Sequence, residues 1–160
     1  MINVDHGYVH RVEDFEWLPG IADAIRLLND RDYGVAIITN QAGIARGYYS
    51  EEEFRTLTDW MLAELLEKQA VVNSVYHCPH HPLGAVPSLA IECDCRKPRP
   101  GMLLRAMADL TADPSGSFVL GNKDSDVLAA TAVGIPGYLH DGRGDVLARI
   151  SEILDELSRP

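Results

Sequence analysis

A chain of 160 residues is long enough for one domain with its own core, and 46% hydrophobic against 24% charged residues is a globular balance. Its formal net charge of −10, from 14 basic and 24 acidic residues, argues against nucleic acid or an anionic membrane as the main partner. No apolar run approaches the roughly 20 residues of a membrane span, and the N-terminus is polar by Asn3 with no signal peptide, so a cytoplasmic protein is expected.

In chain order, residues 1–19 read as loop. Ile21, Ala24, Ile25 and Leu28 recur at helical spacing and predict a helix over Ile21–Asp30. Val35–Thr39 is a continuous β-rich run, which suits a strand buried on both faces of a parallel sheet. Asn40–Tyr49 reads as loop. Ser50 followed by Glu53 is a capping box that opens a long helix to about Gln69, with Glu51, Glu52 and Glu53 as a solvated first turn. Val71–Tyr76 is a second strand. His77–Pro98 is irregular. Pro100 suits a helix start before Met102–Leu110. Ser117–Leu120 is a third strand ending at Gly121, Asp124–Val133 a helix stopped by Gly134, Gly137–His140 a fourth strand and Val146–Leu157 a final helix. Alternating strands and helices predict a doubly wound, Rossmann-like α/β sheet, mostly parallel, in one domain over residues 1–160. Ligands of such sheets bind at the carboxyl ends of the strands. Attention therefore falls on Thr39-Asn40-Gln41 and Gly121-Asn122-Lys123.

The sharpest local signal is Cys78-Pro79-His80, a gap of twelve residues, then Cys93-Asp94-Cys95. All three cysteines lie in this stretch, and an odd, clustered set favours a metal over a disulfide framework. Four soft or borderline ligands suit a closed, structural zinc site in a loop over residues 77–98. His77 and His81 rival His80 as the fourth ligand, and the bland alternative is a reduced-thiol loop. Arg96-Lys97-Pro98-Arg99 follows at once, three cations in four positions that form either an anion seat or a solvated basic turn. Thr39-Asn40 offers phosphate a hydroxyl, an amide and free backbone N–H groups, and it reads equally as an Asx-turn. Arg46 is a substrate cation or a surface residue. Gly121-Asn122-Lys123-Asp124-Ser125-Asp126 suits the edge of a divalent metal site or a helix N-cap. His6, His10 and His140 lack evident partners, so surface or capping roles are expected.

Four segments together resemble the haloacid dehalogenase superfamily of phosphatases. They are Ile2-Asn-Val-Asp-His-Gly-Tyr-Val-His10, Thr39-Asn-Gln-Ala-Gly-Ile-Ala-Arg-Gly47, Cys78-Pro-His-His-Pro82 and Cys93-Asp-Cys-Arg-Lys-Pro98. The likeness runs from residue 2 to about 135. Within the superfamily it is nearest the heptose-bisphosphate phosphatases. Histidinol-phosphate phosphatases are similar too, but carry a shorter zinc loop. The resemblance implies a magnesium-dependent phosphomonoesterase acting on a phosphorylated sugar, expected to be monomeric. An aspartate attacks phosphorus, and a second, two residues later, serves as acid and then base. By resemblance Thr39 and Lys97 bind the phosphoryl group. Asp5, His6, Gly7, Tyr8, Asn40, Gln41 and Arg96 contact substrate or shape its pocket, and Lys123 sits at the rim. Cys78, His80, Cys93 and Cys95 match the zinc ligands, and Asn122 falls where a magnesium aspartate is expected, which weakens the magnesium site. The family's Asp-x-Asp segment and its central strand precede Ile-Asn-Val-Asp, whereas this sequence opens at Met1-Ile2-Asn3. The expectation is a shortened reading frame with a valine codon written as Met1, and two apolar strand edges left without a ladder partner. A catalytically silent sugar-phosphate binder on the same scaffold is the alternative.

Overall fold

The computed structural model describes residues 2–159. Met1, on which the expectation of a shortened start falls, lies outside the described residues. Helix α1 (Ile21–Asp30) begins at Gly20, which holds a left-handed φ of 74°. It buries Ile21, Ala24, Ile25 and Leu28, the stripe read from the sequence. That face packs on helix α6 (Val146–Leu157) through Val146, Ile150 and Leu154, and on Met61 and Leu65 of helix α3 (Glu51–Glu67). At the start of α3 the Glu53 N–H donates to Ser50 Oγ at 3.1 Å, and the Ser50 N–H donates to Glu53 Oε2 at 2.8 Å. Replacing Ser50 by Ala orphans a helix N–H and is expected to cost about 1 kcal/mol. A melting point lowered by roughly 2–4 °C would show it, and an unchanged one would mean that the cap contributes nothing.

Strand β1 (Ala36–Asn40) pairs in parallel with β2 (Ser74–Cys78), from Ala36 opposite Ser74 to Asn40 opposite Cys78. Strand β3 (Val119–Gly121) pairs in parallel with β4 (Gly137–Leu139). Helices α4 (Gly101–Asp109) and α5 (Asp124–Ala132) complete the alternation, α4 between β2 and β3 and α5 between β3 and β4. Three details depart from the sequence reading. A short helix, α2 (Ala42–Ala45), stands where loop was expected. There Gly43 lies against the Tyr49 ring, where a β-carbon would collide. The second strand starts three residues later and ends two residues later than its apolar pattern, because Val71 and Val72 serve the approach to the sheet rather than the ladder. Every residue of β1 is half-buried rather than enclosed on both faces.

The reason for the last departure is the sheet itself. Among the described residues the strands form two separate parallel pairs. β1 and β3 line opposite parts of an apolar cavity of about 220 Å³, together with Ile2, Ile21, Ile25, Phe118 and Ile135. Lys97 bridges the pairs: its Nζ donates to the Ile38 carbonyl of β1 at 2.6 Å and lies 2.7 Å from Asp126 Oδ1. Asp126 in turn caps the end of β3, where Gly121 approaches it too closely for any β-carbon. Both pairs therefore point their carboxyl ends at one place.

Candidate functional site

At those carboxyl ends opens a cleft of about 610 Å³. Asp5, Gly7, Tyr8, Thr39, Asn40, Gln41, Arg96, Lys97, Asn122 and Lys123 line it, segments far apart in sequence. Thr39 ends a chain of polarised groups. Burial pushes the Tyr49 phenol up to about 12, so it stays protonated. It donates to Gln41 Oε1 at 2.5 Å, and Gln41 Nε2 donates to Thr39 Oγ1 at 2.9 Å. With that lone pair occupied, the Thr39 hydroxyl hydrogen is free to turn into the cleft. Nothing in the sequence pattern marked Tyr49 for this part.

Asn40 spends both ends of its amide on one partner. Its Nδ2 donates to the Lys97 carbonyl and its Oδ1 accepts from the Lys97 N–H, each at 3.0 Å. The basic turn is thus clamped to the end of β1. The Lys97 side chain is 13% exposed and the Asp126 side chain 8%. Asp126 Oδ2 also accepts the N–H groups of Asn122 and Lys123, each at 3.0 Å. Burial alone would raise the Asp126 carboxyl, but the Lys97 ammonium and these amides hold it below the usual carboxylate range. Asp5 pairs with Lys123 at 3.0 Å, a contact that lowers its pKa as well. Both cleft carboxylates among the described residues are therefore already partnered. Asp124 is exposed and lines no part of the cleft.

The remaining candidates are placed as follows. His6 turns away from the cleft to Glu16, 2.8 Å distant. His10 stacks on the Tyr49 ring at 4.9 Å and bonds the Tyr8 carbonyl. His140 is buried and accepts the Gly142 N–H. His6 thus stays at the surface, and only His140 is buried, where it accepts a turn N–H. Tyr8 meets Tyr48 edge to face at the mouth of the cleft.

Cys78, His80, Cys93 and Cys95 place four ligand atoms within 4.8 Å of one another. His77 belongs to the other face of β2, against Phe54 and Glu51, and His81 turns to Arg46, so His80 completes the set. A tetrahedral ion with sulfur ligands at about 2.3 Å separates its ligands by roughly 3.7 Å. The Cys78–Cys93, Cys93–Cys95, His80–Cys95 and Cys78–His80 edges are 3.5, 3.3, 3.3 and 3.8 Å, and only Cys78–Cys95, at 2.6 Å, is much shorter. Burial and the neighbouring thiols push the Cys78 thiol up, so thiolates here need a cation beside them. The group fits a small divalent metal.

A protein-family profile described as HAD-hydrolase-like matches residues 94–142. D-glycero-beta-D-manno-heptose-1,7-bisphosphate 7-phosphatase of Escherichia coli K12 is 46% identical over 134 residues, which is 84% of this chain and 70% of that protein. The Haemophilus ducreyi enzyme of the same name is 45% identical over 135 residues, 84% of this chain and 74% of that protein. Among solved structures, a HAD-like phosphatase from Mesorhizobium loti superposes with a TM-score of 0.86 at 31% identity, over 99% of this chain and 83% of that one. The D,D-heptose 1,7-bisphosphate phosphatase of B. bronchiseptica, complexed with magnesium and phosphate, superposes with a TM-score of 0.83 at 27% identity, over 98% and 94%. Identity at this level across most of both chains, on the same fold and around the same cleft, means that the chain belongs to the heptose-bisphosphate phosphatase family of HAD-like hydrolases.

Proposed function

We propose that the cleft binds the phosphoryl group of a sugar phosphate for phosphomonoester hydrolysis, the C7 phosphate of D-glycero-D-manno-heptose 1,7-bisphosphate being the favoured substrate. The observation that carries this is the convergence of Thr39, Lys97, Arg96 and Lys123 at one strand-end cleft in a chain of net charge −10. Thr39 Oγ1 donates to one phosphoryl oxygen and Lys97 Nζ neutralises another, leaving the Ile38 carbonyl as it does so. Arg96 and Lys123 hold the rest of the substrate at the rim, and Tyr8 and Gln41 shape the wall. The Cys/His quartet is read as structural zinc, which would fix the direction of Arg96 and Lys97 immediately after Cys95. A cytoplasmic location fits this reading.

Magnesium accompanies phosphate in the B. bronchiseptica enzyme. Here the described cleft residues offer it neutral oxygens, Asn122's among them, and two carboxylates already paired with lysines. They do not by themselves fit a tight magnesium site, and no step is assigned to that ion. The same pairing favours a second reading, a sugar-phosphate binder without turnover.

Phosphate release from a panel of sugar phosphates, with and without magnesium, separates the two. The enzyme reading expects phosphate release from the heptose bisphosphate, with Lys97→Met lowering kcat/KM by about a hundredfold or more. Binding without release, in wild type and in Asn122→Asp alike, would reject the enzyme reading.

A further inference from the structure

Tyr49 is buried in the wall of the cleft and held from several sides. On one face the His10 ring stacks at 4.9 Å, 5° from parallel. His10 is fixed in turn, its Nδ1 donating to the Tyr8 carbonyl at 2.9 Å. Gly43 lies against the ring edge, where a β-carbon would collide with it, and Ile44 and Phe54 complete the packing. The ring therefore has one position, and its hydroxyl one neighbour to bond.

That neighbour is Gln41. The two ends of its amide are nearly the same in shape and opposite in character, since the oxygen only accepts and the nitrogen only donates. The phenol hydrogen goes to Gln41 Oε1, which turns Nε2 toward Thr39 Oγ1 at 2.9 Å. A reversed amide would offer Thr39 an oxygen instead. The Thr39 hydroxyl would then donate to Gln41, and its lone pairs would face the cleft and repel an anion there. What opposes this half-turn is the phenol. A reversed amide would set an N–H against Tyr49 and leave the buried phenol hydrogen without an acceptor among the described residues, and an unmet buried donor is costly.

We infer that Tyr49 is a positioning residue for anion binding: through Gln41 it fixes the direction of the Thr39 hydroxyl, so that a phosphoryl oxygen entering the cleft meets a donor. The inference rests on reading Thr39 as a phosphate ligand. It gives the His10 stack and Gly43 a shared purpose, which is to hold the phenol where the amide has only one favourable orientation. Because His10 supports the Tyr49 ring and bonds the Tyr8 carbonyl, the mouth of the cleft and its phosphate donor share one support.

The test is a double-mutant cycle read by isothermal titration of the full chain with inorganic phosphate. Thr39→Val is expected to weaken binding by about tenfold, the range of one hydrogen bond to a charged group. Tyr49→Phe keeps the ring and its packing but loses the phenol hydrogen, and should weaken binding by about threefold or more. The double variant should bind no more weakly than Thr39→Val alone, because Tyr49 then has no hydroxyl to direct. Gln41→Met breaks the same relay without touching the ring, and should give the same loss and the same non-additivity. A merely structural role for Tyr49 predicts instead that the two losses multiply. Multiplied losses, or phosphate binding unchanged in both Tyr49→Phe and Gln41→Met, would overturn the inference while leaving the reading of the cleft intact. An unchanged affinity in Thr39→Val would remove that reading, and the inference with it.

Discussion

Stripping the metal from the Cys/His quartet is expected to lower the thermal midpoint by more than about 10 °C and to abolish phosphate binding with it. Cys78 has no exposed surface, and Cys93 and Cys95 pack with it against Met102 and Ala106 of α4. Between His80 and Cys93 the loop contains only turns and scattered backbone bonds, such as His81 N–H to the Leu89 carbonyl. On the zinc reading its order depends on the ion. Structural zinc contributes on the order of 10 kcal/mol to the fold of a site built this way, and each kcal/mol moves the midpoint of a protein this size by roughly 2–4 °C. Arg96 and Lys97 follow the last ligand directly, so the basic turn loses part of its support at the same time. Calorimetry before and after a strong chelator, with a metal count on the purified protein, checks both halves. Less than about half an equivalent of zinc with an unmoved midpoint would remove the metal from the account.

The second large effect is expected at Asp126. Asp126→Ala leaves the Lys97 ammonium, 13% exposed, without its carboxylate, and frees two backbone N–H groups. Removing one partner of a buried pair costs about 3–5 kcal/mol. Asp126→Asn keeps an oxygen for the Asn122 and Lys123 amides, so the difference between the two variants isolates the charge from the cap. The pH dependence has a definite sign. The folded carboxyl titrates below the usual carboxylate range, so the pair's stabilisation is fully present above about pH 4 and is lost as pH falls through the lower folded value. Wild type should lose stability steeply in acid, and Asp126→Asn should show a flatter acid limb. Parallel melting curves for the two proteins, taken from neutral pH downward, test this. Identical slopes would mean that the ion pair contributes nothing.

How much of this was legible beforehand varies by element. Helix α1 begins and ends where its apolar spacing placed it, and the Ser50–Glu53 capping box forms as its spacing implied. The cysteine positions were readable because Cys-x-His and Cys-x-Cys are local patterns. The choice among His77, His80 and His81 was not, because it depends on which face of β2 each residue occupies and on Arg46 drawing His81 away. The basic turn read equally well as solvated. Its place in the cleft became visible only with Lys97 inserted between Ile38 and Asp126 and clamped by Asn40, 57 residues away in sequence.

By itself the sequence determined the alternation of helices and strands, the clustered cysteines beside a basic turn, and a polar loop at a strand end. These are properties of short spacings, where side-chain periodicity and backbone capping act within a few residues. The tertiary structure alone decided which donors are spent and which are free. Asn40 is committed to Lys97, Asp126 to Lys97 and two amides, and His6 to Glu16, whereas Thr39, Arg46 and Arg96 keep donors to spare. The physical reason is that a polar group's availability depends on every partner within about 3 Å, and chain folding brings those partners from any distance along the sequence.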